Sequence, residues 1–186
     1  EGRGFSFLKD EELDMRMDRR QSLTAAEIVN KYPEADLADV LWRYGEERFS
    51  RRISRAIVNA RGKAPIRTCR ELSQIIENVS GRSSGRRGRI HPATKTFQAL
   101  RIEVNKELDE LAEAIIAGTN IIRSGGRICV ISYHSLEDRI VKRSFKELAG
   151  KGVITIITKK PLTPGNEERL SNPSSRSAKL RVAEKS

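Results

Sequence analysis

Histidine and cysteine are scarce in this sequence, with two of each in 186 residues. Cys69 and Cys129 lie far apart, and His91 and His134 share no ligand spacing with them. A zinc site of the usual Cys/His kind is therefore excluded, and no metal centre is expected. So few thiols agree with a reducing cytosol without establishing one. Aromatic residues make up only 5% of the chain, so each ring has a core to fill before it has anything else to do. No apolar run is long enough to span a bilayer, and no signal peptide is visible. A cytoplasmic location with no membrane partner is the expectation. A starting methionine is missing too, and a chain that begins at Glu1 reads as a piece of something longer.

Positive charge, by contrast, is abundant. Lys and Arg number 36 against 25 Asp and Glu, a formal net charge of +11. Such an excess points to a polyanionic partner, RNA or DNA first, because Lys and Arg neutralise phosphates and release counterions. Hydrophobic residues at 37% still suffice for a core within a very polar surface.

Hydrophobic periodicity divides the chain. Residues 1–22 show no clear period, with Phe5 and Phe7 as candidate anchors. Thr24 and Glu27 have capping-box spacing, and the helix they open stops before Pro33. A second helix is expected from a cap at Asp36 to a stop at Gly45. In the third, Phe49, Ile53, Ile57 and Ala60 recur on one side, and Arg48, Arg52 and Arg55 lie opposite, with Arg51 nearby. Thr68 and Glu71 repeat the box. Residues 80–92, "SGRSSGRRGRIHP", are Gly/Ser-rich, basic and free of acids, as in a mobile loop.

Beyond Pro92, Phe97, Leu100, Val104, Leu108, Leu111 and Ile115 predict one long helix with a buried stripe. Ile128 to Ile131 is a short, wholly apolar run, expected of a strand covered on both faces. A helix over 136–149, a strand over 153–158 and a third strand over 178–184 complete the chain. The carboxyl part thus reads as half of an open α/β sheet, and its first strand calls for paired neighbours on both sides.

The turn after that strand, Tyr133 to Asp138, carries two readings. Ser135 and Asp138 have the spacing of an S-x-x-D cap. The same turn occupies the carboxyl end of a strand, where open α/β sheets bind ligands, and His134 there can serve as base, acceptor or hydrogen-bonder.

Six stretches now converge: "RGFSF" (3–7), "LDMRMD" (13–18), "YGEERFSRRISRAIV" (44–58), "HPATKTFQALRIEVNKEL" (91–108), "GGRICVISYHSLEDRIVKR" (125–143) and "NPSSRSAKLRVAEK" (172–185). Together they resemble the MraW-type family of bacterial small-subunit ribosomal RNA N4-cytosine methyltransferases, over nearly the whole chain. The resemblance implies a partial Rossmann-like class I methyltransferase sheet with a helical insertion domain. Residues 1–9 would be an entry segment of the methyltransferase domain, 10–90 would be the RNA-recognising helical insertion, and 91–186 would be the carboxyl half of the Rossmann-like domain. It further implies S-adenosyl-L-methionine as methyl donor, and a cytidine in the decoding region of the small-subunit rRNA as target. Whether the protein forms a homodimer stays open.

One departure from the family matters. The Gly-rich loop, the acidic residue and the later loop that bind the donor in the family all lie upstream of this sequence. "GRSSGRRG" does not replace them, since it follows a helix and its arginines suit phosphate. No donor-binding residue is carried over, and the chain alone is expected to bind the donor poorly or not at all.

Cytosine N4 is a weak nucleophile, because its lone pair is drawn into the ring. Methylating it requires an in-line geometry, acceptors for its N–H groups and a base taken out of its stack. His134, Ser135 and Asp138 are the candidates for the pocket's edge, and Phe5 or Phe7 for a stacking face. Arg48, Arg51, Arg52 and Arg55, and the loop residues Arg82, Arg86, Arg87 and Arg89, are the candidates for phosphate. Arg176, Lys179 and Arg181 extend that set. Two other readings stand beside the enzyme: a non-catalytic RNA-binding or ribosome-assembly module that keeps only the recognition half, and a DNA cytosine methyltransferase fragment.

Overall fold

Thr24 opens the first helix, and the Glu27 carboxylate is shared between the Thr24 backbone and Lys31, with Lys31 the stronger partner. The Thr24 hydroxyl accepts from the Glu27 N–H at 3.1 Å, and the Glu27 carboxylate accepts from Lys31 Nζ at 2.7 Å. An i,i+4 ion pair on the exposed face competes for the carboxylate that a full box requires. This helix, α1 (Ala25–Lys31), ends ahead of Pro33. The next, α2 (Glu34–Gly45), has Pro33 and not Asp36 at its cap. Proline has no N–H to leave unpaired there, and Glu34 and Asp36 then fall in the first turn, where the helix dipole favours them. α3 (Ser50–Arg61) and α4 (Cys69–Ser80) follow. At α4 the full box forms: Thr68 Oγ1 accepts from the Glu71 N–H at 3.3 Å, and Glu71 Oε2 from the Thr68 N–H at 3.0 Å.

The computed structural model describes residues 2–80 and 91–186. They form two compact units, Glu1–Glu107 and Leu108–Ser186. The expected boundary at residue 90 lies outside the described residues. The first unit continues past it through α5 (Thr94–Asn105), which packs against α2.

The long helix expected after Pro92 is two helices. Lys106 takes a left-handed φ of +50° and separates α5 from α6 (Glu107–Ile121). Such a conformation costs a non-glycine residue about 1–2 kcal/mol, and three sets of bonds offset it. Arg101 grips the Glu107 carboxylate with two bonds of 2.7 and 2.8 Å. The Asn105 side chain donates to the Met15 carbonyl at 2.8 Å and accepts from the Met17 N–H at 2.7 Å. Gln21 donates to the Val104 carbonyl at 3.2 Å.

The core of the first unit gathers Ile28, Leu37, Leu41, Ile53, Ile57, Leu72, Ile76 and Leu100. Its irregular leading segment is pinned to the same core. Leu13 and Met15 are its buried anchors, and the Leu13 N–H bonds the Arg67 carbonyl while Cys69 N–H bonds the Glu11 carbonyl. Gly45 is buried inside the last turn of α2 and does not take the left-handed cap position, which falls to Glu46 at φ +48°. A glycine is required there because a Cβ would sit 2.6 Å from the Lys95 carbonyl oxygen of α5.

In the second unit, β1 (Arg127–Ser132) leads into α7 (Ser135–Gly150), then β2 (Ile154–Ile156), α8 (Asn166–Ser171), a 3-10 turn (Pro173–Ser177) and β3 (Lys179–Lys185). Gly152, at φ +70°, lets the chain turn out of α7, with the Gly152 and Val153 N–H groups returning to the Ala149 and Leu148 carbonyls. The sheet order is β1-β3-β2, and β3 is antiparallel to both neighbours. β1 and β2 are therefore parallel to each other, joined by α7, with β3 filling the gap between them. The mixed α/β class agrees with expectation, and the sheet found is this small antiparallel one.

Alternation sorts the strand residues by face. Ile128 and Val130 of β1, Ile154 and Ile156 of β2 and Ala183 of β3 gather with Leu111, Ile115, Val141 and Phe145. Cys129 and Ile131 point the other way and are exposed, Ile131 to 56%. The apolar run thus has one covered face where two were expected, and β1 pairs on one side only among the described residues. A run of four apolar residues reports the hydrophobicity of both faces; it does not report what covers them.

Candidate functional site

At the carboxyl end of β1 the chain turns through Tyr133 and His134 into α7. The cap is built one residue earlier than the S-x-x-D spacing suggests. His134 is the N-cap, and its Nδ1 accepts from the Glu137 N–H at 3.3 Å. Glu137 reaches back in turn, with Oε2 accepting from the Tyr133 N–H at 2.7 Å and the His134 N–H at 3.2 Å. His134 Nε2 lies 3.3 Å from the other carboxylate oxygen of Glu137. Both ring nitrogens are therefore turned toward Glu137, and the ring is a fixed part of the turn. Ser135 is the first residue of α7 and is exposed.

Asp138 faces inward, to β3. Arg181 Nε donates to its Oδ1 at 2.7 Å and Nη2 to its Oδ2 at 3.2 Å, and Lys179 Nζ stands 3.5 Å away. The bonds from Arg181 hold the Asp138 carboxyl below its ordinary pKa against the opposing effect of burial, and both positive charges add to this. The expectation that Asp138 completes the helix cap is thus corrected, because a buried guanidinium outcompetes a backbone amide for the carboxylate. Arg181 is only 6% exposed, so it is removed from the basic surface assigned to it, whereas Arg176 is exposed.

Sequence reasoning missed Glu137. The signal was present: a hydrogen-bonding side chain at 134 and a Glu three residues on. It was hidden because Ser is the commoner cap, and Ser135 with Asp138 has the same spacing one step later.

Four arginines of the first unit are brought together. Arg48, Arg51, Arg52 and Arg55 are all exposed and line one cleft between α2 and the start of α3. Arg82, Arg86, Arg87 and Arg89 lie outside the described residues.

Phe7 is committed to packing. It stacks on His91, ring centroids 4.4 Å apart, and meets Phe97 edge to face at 5.5 Å. Phe5 is 37% exposed, with the Arg3 guanidinium 5.2 Å above its ring. His91 Nδ1 also accepts from the Ala93 N–H at 3.2 Å, and its Nε2 lies 3.2 Å from Glu77. The Cys69 thiol donates to the Gly4 carbonyl at 3.3 Å, and burial pushes its pKa up to about 11, so it is no nucleophile. No helix among the described residues is long and apolar enough to cross a membrane.

Comparison with known proteins bears on this geometry. The model of the MraW methylase family matches residues 1–186. A Persephonella marina protein named ribosomal RNA small subunit methyltransferase H is 57% identical over 183 residues, covering 98% of this chain and 62% of the relative. Proteins of the same name from Acaryochloris marina and Caldicellulosiruptor bescii are each 51% identical, with 98% of this chain covered and 59% and 64% of theirs. The chain thus spans about three fifths of the length of the curated relatives it matches.

Proposed function

The chain belongs to the MraW methylase family, and from that premise we propose that a protein carrying it at the length of its relatives transfers a methyl group from S-adenosyl-L-methionine to the N4 of a cytidine in the decoding region of small-subunit rRNA, in the cytoplasm. One observation carries the reading: residues 1–186 match the family from end to end, at 57% identity to a relative named for small-subunit rRNA methylation. The capped turn after β1 supports it, since that is where an open α/β sheet meets its ligand. Among the described residues β1 pairs on one side and leaves one apolar face exposed, which suits a sheet extended by the part of the relatives that this chain does not cover.

The residues present do not fit the methyl donor. The turn after β1 holds no glycine, and the N–H groups of Tyr133, His134 and Glu137 are already taken within the turn itself. This chain's share of the work is on the side of the target base and the RNA. His134 and Glu137 act there as positioning residues that fix the backbone beyond β1. Ser135, exposed at the head of α7, is the second unit's candidate for the edge of the base pocket, and Phe5, 37% exposed, is the first unit's candidate for a stacking face. Arg48, Arg51, Arg52 and Arg55, with Arg82, Arg86, Arg87 and Arg89, meet the phosphates.

Tritiated S-adenosyl-L-methionine and an unmodified small ribosomal subunit test this, with nucleoside analysis of the product. The full-length protein is expected to place label in N4-methylcytidine, and the 186-residue chain alone to place none. Label in any other nucleoside would overturn the proposed target.

A second reading follows from the lack of fit to the donor: taken by itself, the chain is an RNA-binding module without catalysis. RNA affinity of the isolated chain, with no uptake of the donor, is its expected signature.

A further inference from the structure

A cleft of about 820 Å³ opens on the first unit between α2 and the start of α3, within the size range of small-ligand sites. Its α2 wall is a helical stripe of Ala35, Ala38 and Trp42, and the opposite wall carries the four arginines 48, 51, 52 and 55. Two carboxylates share the lining, Glu34 and Asp39, and both are engaged. Arg55 Nε lies 3.5 Å from Glu34, and Arg43 donates to Asp39 at 3.2 Å. Arg52 donates to the Val79 carbonyl at 3.2 Å and sits 5.4 Å over the Phe49 ring. Arg48 and Arg51 are exposed and have no ion-pair partner among the described residues.

Trp42 is 59% exposed, a large ring left in water beside these charges. It is also the chain's single tryptophan. Sequence periodicity accounts for Leu37, Val40, Leu41 and Tyr44 as the inward face of α2 and leaves Trp42 on the other side without a packing role. An exposed indole next to uncommitted guanidinium groups is the chemistry that holds unpaired nucleotides, with a ring for the base and cations for the backbone. A paired base has both faces covered by its neighbours in the stack, so only a single strand presents a face to Trp42. Resting on the RNA-substrate reading above, we propose that this cleft takes a single-stranded stretch of RNA, with one base stacked on Trp42 and the adjoining phosphates on Arg48 and Arg51.

The full-length protein is titrated with an oligouridylate of about ten nucleotides, within the usual span of a single-strand site, carrying 5-iodouridine and a fluorescent end label. The same strand annealed to its complement is the control. Anisotropy reads affinity, and near-ultraviolet irradiation followed by peptide mapping reads proximity. The single strand is expected to cross-link to the Trp42 peptide, and the duplex is not. Trp42→Ala and Trp42→Leu are expected to weaken single-strand binding by about 5- to 150-fold, the effect of losing one stacking ring, while Trp42→Phe keeps most of it. Thermal melting of each variant reports its folding, and the cross-link in the unaltered protein needs no variant at all.

Single-strand binding that is indifferent to Trp42→Leu and gives no Trp42 cross-link overturns the proposal and leaves the rRNA reading standing. Equal binding and equal cross-linking of the duplex also overturns it. Capture of polyglutamate that the oligonucleotide fails to displace assigns the cleft to acidic peptides and overturns it as well. Failure of every RNA, the small-subunit rRNA included, to bind removes the underlying reading together with the proposal.

Discussion

Asp138 on α7 and Arg181 on the central strand β3 are joined by two hydrogen bonds of 2.7 and 3.2 Å, with the Arg181 side chain only 7% exposed. The pair couples α7, the helix that follows the turn after β1, to the middle of the sheet. Removing one partner leaves a buried charge uncompensated. Asp138→Asn is therefore expected to destabilise the second unit by about 3–5 kcal/mol, measured by chemical denaturation. Because the folded pKa of Asp138 lies below its unfolded value, the pair's contribution is complete above the unfolded pKa of about 3.9. It is lost as pH falls through the lower folded value. The unaltered protein should show this acid-side loss in a pH titration of stability, and Asp138→Asn should lack that component.

His134 allows cap and chemistry to be separated. Asn is a good N-cap and can accept from the Glu137 N–H, whereas Ala cannot. His134→Ala is expected to lose about 0.5–2 kcal/mol of stability together with methyl transfer by the full-length protein. His134→Asn should keep the stability. If it also keeps the turnover, the imidazole acts only by fixing the turn; if turnover alone falls, the ring itself meets the substrate.

Gly45 is a test of close packing without backbone strain. Its φ is ordinary, but an added Cβ meets the Lys95 carbonyl oxygen at 2.6 Å and the Lys95 carbonyl carbon at 3.2 Å. Backbone cannot swing aside as a side-chain tip does, so α2 and α5 must part. Gly45→Ala should cost about 1–3 kcal/mol, even though alanine is the better helix former. A rise in melting temperature would contradict this close approach.

The acid-free basic stretch of the sequence is tested through salt. Replacing Arg82, Arg86, Arg87 and Arg89 together with Ala is expected to weaken RNA binding and to flatten the plot of log K against log salt. The slope should change by about 0.7 for each single-strand phosphate that these arginines no longer neutralise. An unchanged slope would make these residues bystanders.

The kinds of element were legible wherever the pattern is local. The Thr68–Glu71 box, the stop before Pro33 and the alternation that becomes β3 each depend on residues a few positions apart, and each is found. What escaped was decided by competition between distant groups. Asp138 belongs to a cap by spacing, yet Arg181, 43 residues further on, takes it and moves the cap to His134 and Glu137. The stripe from Phe97 to Ile115 has the period of one helix, yet bonds from Asn105 to Met15 and Met17, about 90 residues away in sequence, hold Lys106 in the conformation that breaks it.

The sequence by itself determined the basic character of the chain, its apolar faces and its family motifs, because charge and hydrophobicity are properties of a residue and its near neighbours. Only the tertiary structure decided which carboxylate each cation received, that Arg181 is buried while Arg48 and Arg51 have no ion-pair partner among the described residues, that those residues leave one face of β1 exposed, and that Trp42 stands in a cleft beside arginines. Those outcomes depend on burial and on pairing across long chain separations, where several partners of equal local merit compete and desolvation and geometry choose among them.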